Sequence, residues 1–436
     1  MTDKRGTGTF ITDATELTTG NLDLYTAPHV ENALRYGMTV ELNPINALSD
    51  TGPYEFHIPG DTEHWIQLPL TRLYGTIKVL KAESKDLTEN DLVSLCNLLP
   101  QTLFKQIEVE VGGKLVTDIS SSTYPIKAFL ETALTYGDEA KKTHLTLAGW
   151  EADQAGAADG TSGNSGWVAR RKRIIGKNYH FSMILHVDFF QMERFLLPNT
   201  NVTIKLIRNS DDYSLISATS IGKINIKSLR LSVHKVKIAE DYTQAILSNL
   251  TKEPAIYPIT QSKIKTFLIQ SGTTTTSIQN ILSGTLPQSL IICFLDSKSF
   301  NGDVSSNPFN FSHFGLNSLN LKINGKPFHP RPLQPNYDDD DFKREYRLFM
   351  DNAGIHHGNM TNNISEADFA SHMNFYPFDF TPDRCNSVHH HTTKTGHIDI
   401  DLGFGKALAT SIYMILYSSH PQTIFMDHNR QPTLIE

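Results

Sequence analysis

Two stretches of the chain share one plan, and that repetition limits what it can fold into. QIEVEVGGKLV at 106–116 and SLNLKINGKPF at 318–328 each place apolar residues at alternate positions and break at a Gly-Lys turn. Each is then followed by a helical pattern, starting near Tyr124 in the first case and near Asp340 in the second. Alternation at period two marks a strand with one face in a core and the other in water. After each helix come a loop, an aromatic strand ending near Phe189 or Phe380, and further apolar strands. The chain therefore reads as two copies of one strand, turn and helix module, divided near 239–254.

The remaining strand signals fill out both copies. HFSMILHVDFF puts Phe181, Met183, Leu185, Val187 and Phe189 on one face, predicting a half-buried strand. The same period recurs at Ile107/Val109/Val111, Val202/Ile204/Leu206, Leu319/Leu321/Ile323 and Ile398/Ile400/Leu402/Phe404. Residues 412–417 are apolar on both faces, as a central strand would be. INIKSLRLSVHKVKI slips phase near Ser228, which predicts a bulge or a bend between two sheets. Short helices are expected in DLTENDLVSLCNLLP, opened by an Asp or Thr cap and stopped by Pro100, and in YPIKAFLETALTYG, DDFKREYRLFMDNAG and SEADFASHM. The fold class is all-β with a few short helices, a sandwich or jelly roll. Two insertions, 148–173 and 385–396, are expected as exposed loops.

At 436 residues the chain has room for about three ordinary domains or two large all-β ones. Its 39 Lys+Arg against 46 Asp+Glu give a net charge of −7, without the basic excess of a nucleic-acid binder. Strong direct nucleic-acid binding is not expected. Cys96, Cys293 and Cys385 are too few and too scattered for a disulfide framework or a zinc site. The opening residues have no apolar signal core and no apolar run approaches the ~18 residues that cross a bilayer, so synthesis in the cytosol without membrane insertion is expected. The sequons at Asn201, Asn249, Asn310, Asn359 and Asn363 read as unmodified.

Few motifs suggest chemistry. His389, His390 and His391 lack the following carboxylate that a cupin site needs. His397-Ile398-Asp399 matches half of an iron-binding triad, with His420 or His428 to complete it, and this is the one basis for an alternative reading as a metal-dependent oxygenase or binding module. An alternating strand, HIDIDLGF, accounts for Asp399 and Asp401 as solvent-face residues without a metal. Asp338, Asp339, Asp340 and Asp341 read as a helix cap in preference to a calcium site, since Asp-x-Asp-x-Asp-Gly spacing is absent. RRKR at 170–173 reads as solvated loop charge, with nuclear import as the other possibility. GGK at 112–114 is a hairpin turn and not a phosphate loop. No catalytic residue, cofactor or metal ligand is assigned, and an enzyme is not expected.

SSSTYPIKAFLETALTYGDEAKKTHL at 120–145 resembles a signature of the double jelly-roll major capsid (hexon) proteins of Polinton/Maverick elements and the related adintoviruses. DDFKREYRLFMDNAG, ISEADFASHMNFYPFDFTPD, HIDIDLGFGKALATSIYMILYSS and IFMDHNRQ follow in that family's order, so the likeness runs from Ile107 to Asn429. Its signature residues here are Tyr124, Pro125, Leu130, Glu131, Tyr136, Gly137, Phe378 and Asp379. The resemblance implies two consecutive eight-stranded antiparallel jelly rolls, the first at 21–240 with the loop 148–173 facing outward and the second at 241–436. A flexible arm at 1–20 would precede them. It implies a structural role: homotrimeric, pseudo-hexameric capsomers tiling an icosahedral double-stranded DNA virus shell. Partners would be neighbouring capsomers, a penton and other minor capsid proteins. The location implied is the virion, with synthesis in host cytoplasm and assembly in the nucleus as one route.

Overall fold

The computed structural model describes residues 24, 27, 29–118, 122–160, 163–217, 222–353, 361–382, 384 and 391–435. The expected arm at 1–20, with Cys385, His389 and His390, lies outside them. The first half contains β1 (Leu34–Leu42), β2 (Tyr54–Ile58), β3 (His64–Lys81), β4 (Val93–Leu95), β5 (Phe104–Val111), β6 (Lys114–Leu115), β7 (Tyr179–Ile184), β8 (Val202–Arg208), β9 (Leu215–Ser217) and β10 (Gly222–Ile238). The second contains β11 (Ala255–Ile269), β12 (Thr275–Thr285), β13 (Ser289–Asp296), β14 (Leu316–Ile323), β15 (Lys326–Pro327), β16 (Tyr376–Asp379), β17 (Thr395–Phe404), β18 (Ile412–Met426) and β19 (Pro432–Ile435). The exposed helix Glu240–Leu250 joins the halves.

Pairing shows the duplication directly. The first half forms sheets ordered β1-β10-β3-β7 and β2-β8-β5-β6, and the second forms β11-β18-β13-β16 and β12-β17-β14-β15. Taken in chain order, the eight strands of one set replace those of the other position for position. Each half is an eight-stranded antiparallel jelly roll, its sheets facing each other across side chains such as Phe56, Leu73, Val109 and Ile204, or Ile292, Leu321, Ile400 and Met414. Burying each such side chain contributes ~1.5–3 kcal/mol. Outside the shared plan, β4 pairs with β9, and β19 folds back on the end of β18.

Register sets the direction of the connections. Ile412 faces both Ile269 and Asp296, while Gly403 faces Thr275 and Phe404 faces Leu316. The loops leaving β11, β13 and β17 therefore gather at one end of the second roll. The rolls stand side by side in the same sense, because residues 153–159 touch 307–310 at this end and the β5–β6 hairpin touches the β18–β19 turn at the other.

Several expectations change in detail. Residues 86–98 do not form the expected helix: Val93–Leu95 is a buried strand against Leu215–Ser217, and Pro100, expected as a stop, sits inside the short helix Leu99–Thr102. Both faces of that segment are buried, so a partner strand overrides its helical pattern. The apolar face of HFSMILHVDFF is buried throughout, but the strand stops at Ile184 and the chain turns through a 3₁₀ segment at Asp188–Gln191. At Ser228 the bulge holds and the bend does not, since β10 stays in one sheet through the register shift at Ile226/Ser228. Asp338 to Asp341 cap no helix. Lys343–Asn352 follows Phe342, while Asp341 exchanges backbone hydrogen bonds with Asn336 and Asp339 binds the Asn336 amide.

Candidate functional site: the seam between the rolls

The helix Tyr124–Thr135 begins with Pro125 in its first turn and buries Ile126, Phe129, Leu130 and Ala133 at i, i+3, i+4, i+7 spacing. Lys127 and Glu131, one turn apart, face the second roll. Lys127 Nζ lies 2.5 Å from Asp188 Oδ1 and 3.6 Å from Glu131 Oε1. His186 Nδ1 is 2.6 Å from Glu131 Oε2. From the second roll, Tyr417 donates its hydroxyl to Glu131 Oε1 at 3.1 Å and Ser262 donates its backbone N–H to Asp188 Oδ2 at 2.9 Å. Ser262 and Tyr417 join through their hydroxyls at 2.8 Å. Six side chains from two rolls thus close one network.

Burial raises the Glu131 carboxyl, but the Lys127 charge and the His186 and Tyr417 hydrogen bonds outweigh it and hold Glu131 below its usual value. Burial lowers Lys127, yet the charges of Glu131 and Asp188 prevail and keep it above its usual value. At Asp188 burial wins and its pKa rises. Thr132 Oγ1, His186 Nε2 (3.3 Å) and Glu131 have the outline of a nucleophile, base and acid series. The Thr132 hydroxyl instead donates to Ala128 O at 2.7 Å in a residue 1% exposed, so its proton is engaged and no substrate reaches it. The network fastens the two rolls together.

A second fastening comes from 148–173, and here the expectation of an exposed loop fails. Trp150, Asp153, Ala158, Asn164, Trp167 and Arg170 are buried, and Arg170 is among the largest fully buried side chains. Arg170 binds Asp153 Oδ1 at 2.5 Å and the carbonyls of Leu95 and Glu151. Asp153 Oδ2 in turn accepts from Asn307 of the second roll at 3.0 Å, and Asp159 accepts the Asn307 backbone N–H at 2.7 Å. RRKR is accordingly no solvated run: Arg171 reaches Asp91 O and Arg173 pairs with Glu151, leaving Lys172 exposed. Small residues at 155–160 let this segment turn, with Ala157 N bonded to Gln154 O and Gly160 N to Ala157 O, and the buried ion pair demands its fixed position.

Aromatic rings fill the space between. Phe129 stacks on Phe309 of the second roll at 4.3 Å and 11°, with Phe311 and Trp150 each at 5.7 Å. Lys141 lies 5.0 Å over Trp150 and donates to Ala133 O and to Asn362 O, across the seam. Asp138 accepts from Asn363 at 2.9 Å. At Gly137 an added Cβ would stand 3.0 Å from Thr361 O, so a glycine is what lets the rolls approach there.

Of the eight signature residues, Glu131 and Gly137 meet the second roll. Tyr124 supports them by donating to Gln101 Oε1 at 2.5 Å, while Pro125 and Leu130 set the helix and Tyr136 lines the cleft beside Glu131. Phe378 packs in the second roll against Phe328, and Asp379 accepts from Thr381 N and Oγ1, closing β16. His397 and Asp399 stand 3.6 Å apart on β17, where Asp399 accepts the Asn280 N–H. His420 belongs to the opposite sheet and bonds Ser418. The triad does not assemble, and among the described residues no three His, Cys, Asp or Glu side chains are grouped to hold a metal. His186, Asp188, Ser262 and Tyr417 escaped sequence reasoning. For His186, Asp188 and Tyr417 the signal was a polar group inside the apolar runs 181–190 and 412–417, whereas Ser262 sits in a polar stretch of β11 that gives none.

Two jelly rolls of one plan, parallel and fused along a buried seam, define the double jelly-roll fold. No family model matches the chain. A Caenorhabditis elegans protein, "Uncharacterized protein F54H12.2", is 22% identical over 421 residues, covering 93% of this chain and 98% of its own. Among solved structures, the PBCV-1 virus capsid is similar at 11% identity and TM-score 0.61, over 94% of this chain and 99% of that one. The Sputnik virophage cryo-EM structure is similar at 10% identity and TM-score 0.61, over 97% and 93%. The mavirus major capsid protein is similar at 10% identity and TM-score 0.53, over 97% and 95%.

Proposed function

We propose that this chain is a structural major capsid protein of an icosahedral double-stranded DNA virus or virus-like element. The observation that carries the reading is the seam. It locks two equivalent rolls, at 21–240 and 241–436, into one rigid block with the same end up. Three such blocks give six similar rolls around a three-fold axis, a nearly hexagonal tile whose heterologous contacts close by rotation. The similarity over almost the full length of viral capsid chains supports it. The signature at 120–145 favours the Polinton and adintovirus group. Neighbouring capsomers, a penton and minor capsid proteins are the partners, and the virion is the location, with nuclear assembly as its route. The role is non-enzymatic.

Light scattering and negative-stain images of one chromatographic peak test the proposal. Three chains of 48.8 kDa with a hexagonal outline are expected. A stable monomer without tendency to form that outline overturns the trimeric capsomer.

A further inference from the structure

The loops gathered at one end of the second roll enclose a cleft of about 680 Å³. It is formed where residues 313–317, 334–338 and 405–410 meet. An aromatic ladder reaches its wall: Phe342 stacks on Tyr337 at 5.2 Å and 23°, and Tyr337 on His313 at 3.9 Å and 18°. The backbone N–H of Gly315 donates to His313 Nδ1 at 3.0 Å. A neutral ring therefore carries its proton on Nε2, and burial, by lowering the His313 pKa, favours that neutral form. Asn317 and Gln334 line the cleft exposed, and their side-chain amides have no hydrogen-bond partner among the described residues. At the rim Asp338 and Lys406, 85% and 88% exposed, face each other at 3.8 Å.

These groups discriminate between ligand classes. With Lys406 facing Asp338 and the exposed Asp339 and Asp340 beside it, the rim carries no cationic field for a polyphosphate or nucleic acid. Phe314, Leu316, Pro335 and Leu408 make part of the wall apolar, but Asn317, Gln334 and Asn336 interrupt it and the cleft lies open to solvent, which does not suit a lipid chain. Planar amides that can each bridge two neighbouring hydroxyls, beside a flat aromatic surface that covers C–H groups, suit a neutral sugar ring. We propose that this cleft binds a neutral glycan, one ring packing on the face of His313 that points away from Tyr337 while Asn317 and Gln334 hydrogen-bond its hydroxyls. The proposal rests on the cleft alone and stands whether or not the chain forms a shell.

Saturation-transfer NMR on the full chain tests it, with methyl glycosides of galactose, glucose, mannose and N-acetylglucosamine at ~10 mM, a concentration suited to the millimolar affinities of single sugars. N-acetylneuraminic acid and a sulfated disaccharide are the charged controls. Transfer to at least one neutral glycoside is expected, weakened about tenfold by His313→Ala and by the surface change Gln334→Ala. The thermal midpoint of Gln334→Ala should stay unchanged, separating lost binding from lost fold. Absence of transfer from every neutral glycoside, transfer from the charged sugars alone, or a signal that survives both substitutions overturns the proposal.

Discussion

Lys141 shows how one side chain records the closeness of the rolls. It is 5% exposed and spends its ammonium protons on the carbonyls of Ala133 and Asn362. Burial lowers its pKa to about 8, against which Asp138 and Asp368 act only partly. Between about 8 and 10.5 the unfolded lysine therefore holds more proton than the folded one, and stability gains with rising pH across that window. The urea midpoint should rise from pH 7.5 to 9.5 relative to Lys141→Met, which lacks the titrating group. Parallel pH profiles for the two proteins would show that Lys141 is not desolvated by the seam. The sequence named Glu131 as a signature residue and could not say what it touches. His186 lies 55 positions away and Tyr417 lies 286 away, and no local pattern encodes a hydrogen bond of that span.

Elements were legible where their period was strict and obscure where a partner decided. The β5–β6 and β14–β15 hairpins are readable from GGK and NGK alone, because both turn residues need positive φ: 56° and 82° at Gly112 and Gly113, 51° and 77° at Asn324 and Gly325. Their unequal surroundings are not readable. A Cβ on Gly112 would stand 2.0 Å from Arg430 O of the β18–β19 turn, whereas one on Gly113 meets nothing within 4 Å. Both substitutions by Ala carry the strain of positive φ, on the order of 1 kcal/mol. Only Gly112→Ala must also displace a backbone. Denaturant titration should find Gly112→Ala more destabilised than Gly113→Ala by over ~1 kcal/mol. Equal losses would mean that the hairpin tip and the turn do not touch. The segment 148–173 misled for the opposite reason. Gly, Ala, Ser and Asp describe a solvated loop, and only the buried Arg170–Asp153 pair, satisfied from three sides, turns it into a strap.

At the scale of the whole molecule, the question is whether two rolls or one body fold. The linker helix Glu240–Leu250 buries only Leu250, so it contributes little to holding the halves together. The seam has the Phe129–Phe309 stack, the Glu131 network and the Asp153–Asn307 bond spread along it, with Gln431 reaching Gly112 O at 2.8 Å at the far end. Removing one partner of such a buried charged network costs about 3–5 kcal/mol. The seam is therefore expected to outlast the covalent link. A specific protease site inserted after Ser248 should be cleaved without separating the halves, which then co-elute at the volume of the intact chain. Adding Glu131→Ala should lower the urea concentration at which the nicked halves part. Halves that separate in buffer alone would show that the rolls are independent beads, and a rigid tile could not be built from them.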